Sequence, residues 1–278
     1  MGSHVPRLAG LLCKQTVEGS SPFIPTENFK VTKGIMKIIG ISDLHGYLPK
    51  NLPEGDILCI CGDIFPLEYQ RDTFQSIAWF CLEFVPWTDS LPYKKVIIIA
   101  GNHDFLLETL LDKVPLNAEE ALKKLLPGDN IRKHKIVLLH NSSYYYEGLR
   151  IYGTPYCPDL RNWAFYRNSE GLKTVFSNIP KKCDIILTHC PPRYGNLGVV
   201  SQGWGKGENY GCSELAEALK ERDFQLLMCG HVHSGTHEVL TMGNSKLTNV
   251  SIKDEDYDPF YSPFTIDIYD RENSNEKA

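Results

Sequence analysis

The stretch KKVIIIAGNHDF, Lys94–Phe105, joins an apolar run directly to a cluster of polar side chains. The run VIIIA predicts a strand buried on both faces, since half-buried strands alternate apolar with polar residues. Gly101 is expected to let the backbone turn as the strand ends. Asn102, His103 and Asp104 follow at once, and such groups are costly to bury without partners. The stretch therefore predicts a sheet edge where polar side chains bind something.

The same unit recurs along the chain, each time as a short apolar run followed by Asp or His. The five copies read MKIIGISDLHG, DILCICGDIF, KKVIIIAGNHDF, CDIILTHCPP and FQLLMCGHVHSG. In open α/β sheets, ligands collect at the carboxyl ends of the strands, where the loops converge. We therefore expect these five polar clusters to form one site.

Helical patterns lie between the strands and predict an α/β protein. The first covers Arg71–Phe84, and Pro86 is expected to end it. The second covers Asn117–Leu126 and opens with the capping-box pattern of an N-cap Asn and a Glu three residues later. The third covers Ser213–Arg222, with its first residue as the expected cap.

The later part of the chain has shorter, more alternating runs, over 134–153 and 235–269, which predict antiparallel strands in a second sheet region. We expect one domain over 36–270. Residues 1–35 are expected to be an N-terminal extension or a segment added for expression, and 271–278 a disordered tail.

Composition excludes some functions. A net charge of −5 without a basic tract makes polynucleotide binding unexpected. No apolar segment approaches the roughly 18 residues of a membrane span, and the run Leu8–Leu12 is too short for a signal-peptide core. The nine cysteines are scattered without a C-x-x-C pair, which favours reduced thiols over disulfides. A cytoplasmic protein is expected, and the oligomeric state stays open.

The five strand ends supply carboxylates, imidazoles and an amide, the donor set of a divalent metal site without thiolate. The candidate ligands are Asp43, His45, Asp63, Asn102, His189, His231 and His233. These are too many for one cation and suit two, with Asp63 as the natural bridge because it stands alone after its strand. Two cations about 3.5 to 4 Å apart favour in-line displacement at phosphorus. Hydrolysis of a phosphate ester is the leading hypothesis.

The ordered motifs D-x-H, GD, GNHD, H and GHxH resemble those of the calcineurin-like metallophosphoesterase superfamily. They begin here at Asp43, Gly62, Gly101, His189 and Gly230. Further segments, GTPYCPDLRNWAF, THCPPRYG, GCSEL and NVSIKDEDYDPFYSPFTIDI, are similar to the branch of metallophosphoesterase-domain proteins associated with cyclic nucleotide phosphodiesterase activity.

The resemblance implies a four-layer α/β/β/α sandwich of two mixed sheets with a dimetal site between the sheet edges. It implies one cation held by Asp43, His45, Asp63 and His233, and another held by Asp63, Asn102, His189 and His231. We expect Mn²⁺ first, although Fe, Zn, Ni and Co accept the same ligands.

The mechanism expected from these residues is attack on phosphorus by a hydroxide that bridges the two cations. His103 is then free to donate a proton to the leaving group or to stabilise the charge of the transition state, and His103 and Asn102 are expected to contact the substrate. Asp104 is expected either to orient His103 or to cap the next helix. Arg193 is expected to touch a phosphate oxygen or to be a solvated loop charge.

The substrate is expected to be a small phosphodiester, with cyclic nucleotides as leading candidates. Aromatic side chains suit either base stacking or packing, namely Tyr156, Trp163, Phe165 and Tyr166. Three alternatives stay open: a phosphomonoesterase acting on proteins or small molecules, a nucleotide-binding sensor with little turnover, and, less favoured, a nuclease.

Overall fold

Two β-sheets packed face to face, with helices outside them, make up the fold. The computed structural model describes residues 34–114, 116–126, 135–203 and 205–269. In these ranges the strands are β1 Ile35–Ile41, β2 Ile57–Cys61, β3 Lys95–Ile99, β4 Ile136–Leu138, β5 Ser142–Tyr146, β6 Leu149–Thr154, β7 Ile185–Thr188, β8 Leu226–Cys229, β9 Leu240–Met242, β10 Ser245–Asn249 and β11 Phe264–Tyr269. The α-helices are α1 Thr73–Trp79, α2 Val85–Ser90, α3 Phe105–Glu108, α4 Ala118–Leu125, α5 Ser169–Ser177 and α6 Ser213–Leu219.

The first sheet has the strand order β11-β1-β2-β3-β4. Its strands β1 to β4 run parallel, whereas β11 pairs antiparallel with β1. Because β1, β2 and β3 are parallel neighbours, the polar clusters that follow them meet at one edge of the sheet.

The second sheet has the order β5-β6-β7-β8-β10-β9. Its four inner strands run parallel, and β5 and β9 are antiparallel strands at the two edges. The neighbours β7 and β8 bring their carboxyl ends, and the histidines after them, to one edge.

Alternating residues of the inner strands pack into two different cores, as β2 illustrates. Ile57 and Cys59 pack with residues of the second sheet such as Leu187, in a core between the sheets. Leu58 and Ile60 pack into a second core that includes helical residues. Unbroken apolar runs are explained by this burial on both faces. The expected α/β sandwich of two mixed sheets flanked by helices is confirmed.

The helical segment that starts near Arg71 differs from the expectation, because Pro86 does not end it. A π-helical turn, Phe80–Phe84, follows α1 and leads directly into α2. In this turn the Val85 N–H donates to the carbonyl of Phe80, five residues back. Pro86 therefore falls in the first turn of α2, where a missing N–H is tolerated.

The N-caps of α4 and α6 can be compared with the expectation. The capping box of Asn117 and Glu120 is present in α4, as expected. The expected cap of α6 is wrong by one residue, because Cys212 is the N-cap and its sulfur accepts a hydrogen bond from Leu215 N at 3.5 Å.

The two regions with alternating apolar and polar residues supply strands to both sheets. The hairpin of β5 and β6 is antiparallel in the second sheet, as expected. In contrast, β4 joins the first sheet in parallel, and β11 is also in the first sheet. Strand β1 begins at Ile35, one residue before the expected domain start. The expectations for 1–33 and for 271–278 lie outside the described residues.

The eight cysteines in the described part of the chain are free. Within the same ranges, every helix is too short or too polar to span a bilayer.

Candidate metal centre

Five loops at the carboxyl ends of strands from both sheets place their polar side chains in one cluster. Loops after β1, β2 and β3 come from the first sheet, and loops after β7 and β8 come from the second. The side chains brought together include all seven candidate ligands and His103, and all but the partly exposed His231 are buried. The structure thus assembles the complete set named from the sequence.

Asp63 lies at the middle of the cluster. Its Oδ2 is 3.2 Å from His189 Nε2, 3.7 Å from His45 Nε2 and 3.9 Å from His103 Nε2. A carboxylate approached by imidazoles from both sheets is well placed to bridge two cations.

Two smaller groups of ligand atoms flank Asp63. On one side, the Oδ1 of Asn102 lies 2.9 Å from His189 Nε2 and 2.8 Å from His231 Nδ1. On the other, His233 Nε2 lies 3.5 Å from Asp43 Oδ1 and 3.4 Å from His45 Nε2. The seven residues therefore fall into two groups that share Asp63.

Hydrogen bonds on the far side of two rings fix which nitrogen faces the cluster. His189 Nδ1 donates to the carbonyl of Cys61 at 2.8 Å, and His233 Nδ1 donates to the carbonyl of Asp254 at 2.7 Å. The Nε2 atoms are then left to face carboxylate and amide oxygens, which are themselves acceptors. Such converging lone pairs need a cation or a proton between them, and the donor set therefore fits divalent metal ions.

A site for metal ions is also indicated by groups of three residues whose ligand atoms lie within 4.8 Å of one another. They include Asp43 with His45 and His233, and Asp43 with Asp63 and His189. In addition, His45 Nδ1 is buried and has no hydrogen-bond partner among the described residues.

Protonation in the cluster is governed by burial and by the carboxylates. Burial lowers the pKa of His45 and that of His231 to about 3, so both rings are neutral. Burial also lowers the pKa of His189, but the adjacent Asp63 outweighs it and raises that pKa to about 10. For Asp63 itself, burial raises the pKa, and the charges of His189 and His103 outweigh this and hold it well below its usual range. The ionised Asp63 and the neutral rings of His45 and His231 are in the state that binds divalent cations, whereas His189 must first lose a proton.

Four of the candidate ligands have a positive φ, a backbone conformation that residues other than glycine rarely adopt. The φ angles are +58° at Asp43, +42° at His45, +52° at Asp63 and +71° at His231. Strained backbone of this kind persists only where the surrounding structure fixes it, and it concentrates at functional sites.

Glycines in the motifs make room for the ligands. A Cβ at Gly101 would clash with the side chain and backbone of Asp63, and one at Gly230 would clash with Asp43. Gly101 is not among the residues with positive φ, so close approach rather than the expected turn explains it.

Asp104 is fully buried and its carboxylate accepts three backbone N–H groups. The donors are Ile64 at 2.8 Å, Phe65 at 3.2 Å and Gly101 at 2.7 Å. It occupies the N-cap position of α3 without a side-chain capping bond. These contacts bind the loop after β2 to the loop after β3. Since the carboxylate is occupied by backbone amides, these contacts favour a positioning role, and a catalytic role of Asp104 through His103 stays a prediction.

His103 lies at the border of the cluster and a cavity of about 220 Å³. Its Nδ1 is 2.6 Å from Gln70 Oε1, and its ring centroid is 4.4 Å from that of Trp163. The cavity is lined by Asp63, Asn102, His103, Leu160, Trp163, His231, His233, Glu255 and Tyr257. His103 and Asn102 are thus placed where a substrate would contact them.

Other residues named from the sequence lie away from this cavity lining. Arg193 is exposed, and its guanidinium donates to the carbonyl of Asn209 at 3.2 Å. Tyr156 and Phe165 are part of the hydrophobic core, which favours packing over base stacking. Of the four aromatic residues considered, Trp163 lines the cavity.

The sequence did not single out three residues of the site, Gln70, Glu255 and Tyr257. None of them follows one of the five apolar runs, so the pattern that identified the ligands could not reach them. For Glu255 and Tyr257 the available signal was the acidic segment KDEDYD, which lies within a stretch quoted above for the family resemblance.

Comparison with known proteins gives the same family. Metallophosphoesterase domain-containing protein 1 from Homo sapiens is 30% identical over 252 residues, covering 87% of this chain and 73% of that protein. A UPF0046 protein from Caenorhabditis elegans is 30% identical over 250 residues, covering 84% of this chain and 81% of that protein. The solved phosphopantetheinyl hydrolase from Mycobacterium tuberculosis aligns with a TM-score of 0.44 and 15% identity, covering 78% of this chain and 89% of that one, so the assignment rests on the sequence matches. The sequence model of the calcineurin-like phosphoesterase family matches residues 36–235. The chain therefore belongs to this family of metal-dependent phosphoesterases.

Proposed function

We propose that this protein is a two-cation phosphodiesterase that hydrolyses small phosphodiesters, with cyclic nucleotides as the first substrates to test. The observation that carries the proposal is the convergence of six further acceptor side chains, from both sheets, around Asp63. The adjoining cavity gives an ester access to that cluster.

In this proposal one cation is held by Asp43, His45, Asp63 and His233, and the other by Asp63, Asn102, His189 and His231. The cations supply Lewis-acid chemistry, by lowering the pKa of a bound water and offsetting charge on the phosphoryl oxygens. Mn²⁺ is the first candidate, with Fe, Zn, Ni and Co as alternatives.

His103 acts as the proton donor to the leaving oxygen. Its Nδ1 is held by Gln70, which directs Nε2 toward Asp63 and the cavity. Burial lowers the pKa of His103, and the nearby Asp63 carboxylate opposes this by favouring the protonated ring. Asp104 positions the loop that carries His103, through its contacts with backbone amides.

The charges around the cavity favour a diester over a monoester. Among the described residues that line it there is no Lys or Arg, and Glu255 adds a negative charge. A monoester dianion is commonly bound by Arg or Lys, whereas a diester carries a single negative charge. Arg193, expected to touch a phosphate oxygen, is absent from the lining. Its part in substrate binding stays a prediction.

The compartment proposed is the cytoplasm. Support comes from the free cysteines of the described chain, which are typical of proteins kept in a reducing environment.

The proposal is tested with metal-reconstituted protein and a panel of cyclic nucleotides, linear diesters and monoesters. We expect diester hydrolysis that is lost in Asp63→Asn, together with less bound metal measured by mass spectrometry. Full activity of Asp63→Asn would disprove the two-cation site. Preferred hydrolysis of monoesters would favour a phosphatase, and tight nucleotide binding with slow turnover of every ester would favour a sensor.

A further inference from the structure

Tyr257 lies over the metal centre on the segment that links β10 to β11. Its ring centroid is 4.9 Å from that of His45 and 5.1 Å from that of His233, both in edge-on geometry. The ring also lines the cavity beside Asp63, and 38% of the residue is exposed. A substrate in the cavity can therefore touch it.

The backbone of Tyr257 is in the left-handed region, with φ of +63°. This conformation is unfavourable for a bulky side chain, and its presence at the mouth of a site points to a role for the side chain it orients. A tyrosine needed only for packing could be placed without this cost.

Several hydrogen bonds hold the segment in this conformation. Tyr257 N donates to the carbonyl of Asp254 at 3.1 Å, and Asp254 N donates to the carbonyl of Asp258 at 3.0 Å. The ammonium of the buried Lys253 donates to the carbonyl of Tyr257 at 2.6 Å. Asp254 also accepts the bond from His233, so the segment is tied to a candidate metal ligand. The ring is thus placed before any substrate arrives.

Two aromatic side chains flank the reacting region. Ring contacts run from Trp163 to His103 at 4.4 Å, from His103 to His45 at 4.7 Å and from His45 to Tyr257 at 4.9 Å. Trp163 lies beside the proposed proton donor, and hence beside the ester group that leaves. Tyr257 lies beside His45 and His233, which are ligands of the first proposed cation, and its ring centroid is 6.5 Å from that of His103.

We propose that Tyr257 is a specificity-determining residue, whose ring receives the ester group that remains on phosphorus. This inference rests on the proposed function, because a diester has a second organic group and a monoester lacks one. The ring then contributes to the binding of diesters and contributes little to the binding of monoesters. It distinguishes the two classes of ester by contact with the second organic group rather than by charge.

The test compares kcat/KM for bis(p-nitrophenyl) phosphate and p-nitrophenyl phosphate in Tyr257→Gly and Tyr257→Phe. Glycine removes the ring and adopts the positive φ freely, whereas phenylalanine keeps the ring. We expect the diester-to-monoester ratio to fall about tenfold in Tyr257→Gly, mainly through KM for the diester, and to stay within about twofold of wild type in Tyr257→Phe. Thermal unfolding and bound metal are measured for both variants, and Tyr145→Ala, at an exposed strand position, is the control.

The outcomes separate the two proposals. If wild-type protein hydrolyses the diester and Tyr257→Gly leaves the ratio unchanged, the role of Tyr257 is wrong and the proposed function stands. A ratio that falls equally in Tyr257→Phe contradicts a role for the ring face. If metal-loaded wild-type protein hydrolyses neither ester nor any member of the larger panel, both proposals fail.

Discussion

At the scale of single residues, Gly101 shows how space rather than flexibility shapes this centre. Its hydrogen allows Asp63 and His189 to approach the backbone of the loop after β3, where a methyl group would clash with both. The polar residues that follow it are satisfied by different partners. His103 N donates to Asp63 Oδ1 at 2.8 Å, and the Asp104 carboxylate accepts backbone amides. The backbone amide of His103 and the carboxylate of Asp104 are thus satisfied by their neighbours.

His103 is the residue whose replacement tests the chemistry. His103→Ala should lower kcat for esters with alkoxide leaving groups by about 10²- to 10⁴-fold, because general acid catalysis is lost. Esters of p-nitrophenol should be much less affected, since their leaving group needs no proton. Steady-state kinetics on both ester types provide the measurement. Equal losses of kcat for both ester types would show that His103 is not the general acid.

His189 predicts a pH dependence of metal binding. In the metal-free protein, burial lowers the pKa of His189, but Asp63 outweighs it and raises the pKa to about 10, so the ring is protonated at neutral pH. A cation needs the Nε2 lone pair and must expel that proton. Metal affinity should therefore rise with pH between about 6 and 8, by up to tenfold per unit for one proton. Calorimetric titration in buffers of different ionisation enthalpy measures the release, and its absence would contradict the assignment.

At the scale of elements, the helix near Pro86 shows where local rules were insufficient. A proline normally ends a helix because it lacks an N–H and clashes with the carbonyl four residues back. Here the π-helical turn Phe80–Phe84 ends with a hydrogen bond from Val85 N–H to the carbonyl five residues earlier. Helix α2 then begins at Val85, so that Pro86 lies in its first turn. The packing of Phe80 and Phe84, which are both fully buried, favours this turn, and the sequence pattern carries no sign of it.

Helix α4 offers a stability prediction that is independent of the metal centre. Asn117 Oδ1 accepts from Glu120 N at 2.9 Å, and Glu120 Oε2 accepts from Asn117 N at 3.1 Å. Asn117→Ala should lower the free energy of unfolding by about 1 kcal/mol, whereas Asn117→Asp keeps an oxygen acceptor and should stay near wild type. Urea denaturation measures both. A stability loss as large in Asn117→Asp would show that capping is not the cause.

At the scale of the whole molecule, the metal centre depends on how the sheets face each other. The first sheet supplies Asp43, His45, Asp63 and Asn102, and the second supplies His189, His231 and His233. Only the packed pair of sheets brings His189 within 3.2 Å of Asp63. The core between the sheets therefore fixes the geometry of the site as well as the stability of the fold.

Gly153 on β6 tests this dependence. A Cβ there would lie 2.5 Å from Ile99 Cγ2 and 2.6 Å from Leu139 Cβ, both in the core between the sheets. Gly153→Val should lower the free energy of unfolding by about 1 to 3 kcal/mol through overpacking. It should also weaken metal binding, because it separates the two halves of the ligand set. Urea denaturation and competition with a chelator measure the two effects.

The control for this variant is Thr241→Val, at an exposed position of β9, which should change neither quantity. Unchanged metal affinity in a destabilised Gly153→Val would show that the site tolerates movement between the sheets.

The sequence by itself indicated the five strands that end in polar side chains, the class of fold and the candidate metal ligands. It could do so because parallel strands leave unbroken apolar runs, and because their carboxyl ends must meet at a sheet edge. The tertiary structure decided what depends on contacts between distant segments. These include the parallel pairing of β4 with β3, the contacts of Asp104 with backbone amides, the hydrogen bond between His103 Nδ1 and Gln70 Oε1 and the placement of Tyr257 beside the candidate ligands. Such contacts arise from packing between segments far apart in the chain, which no local pattern of apolar and polar residues encodes.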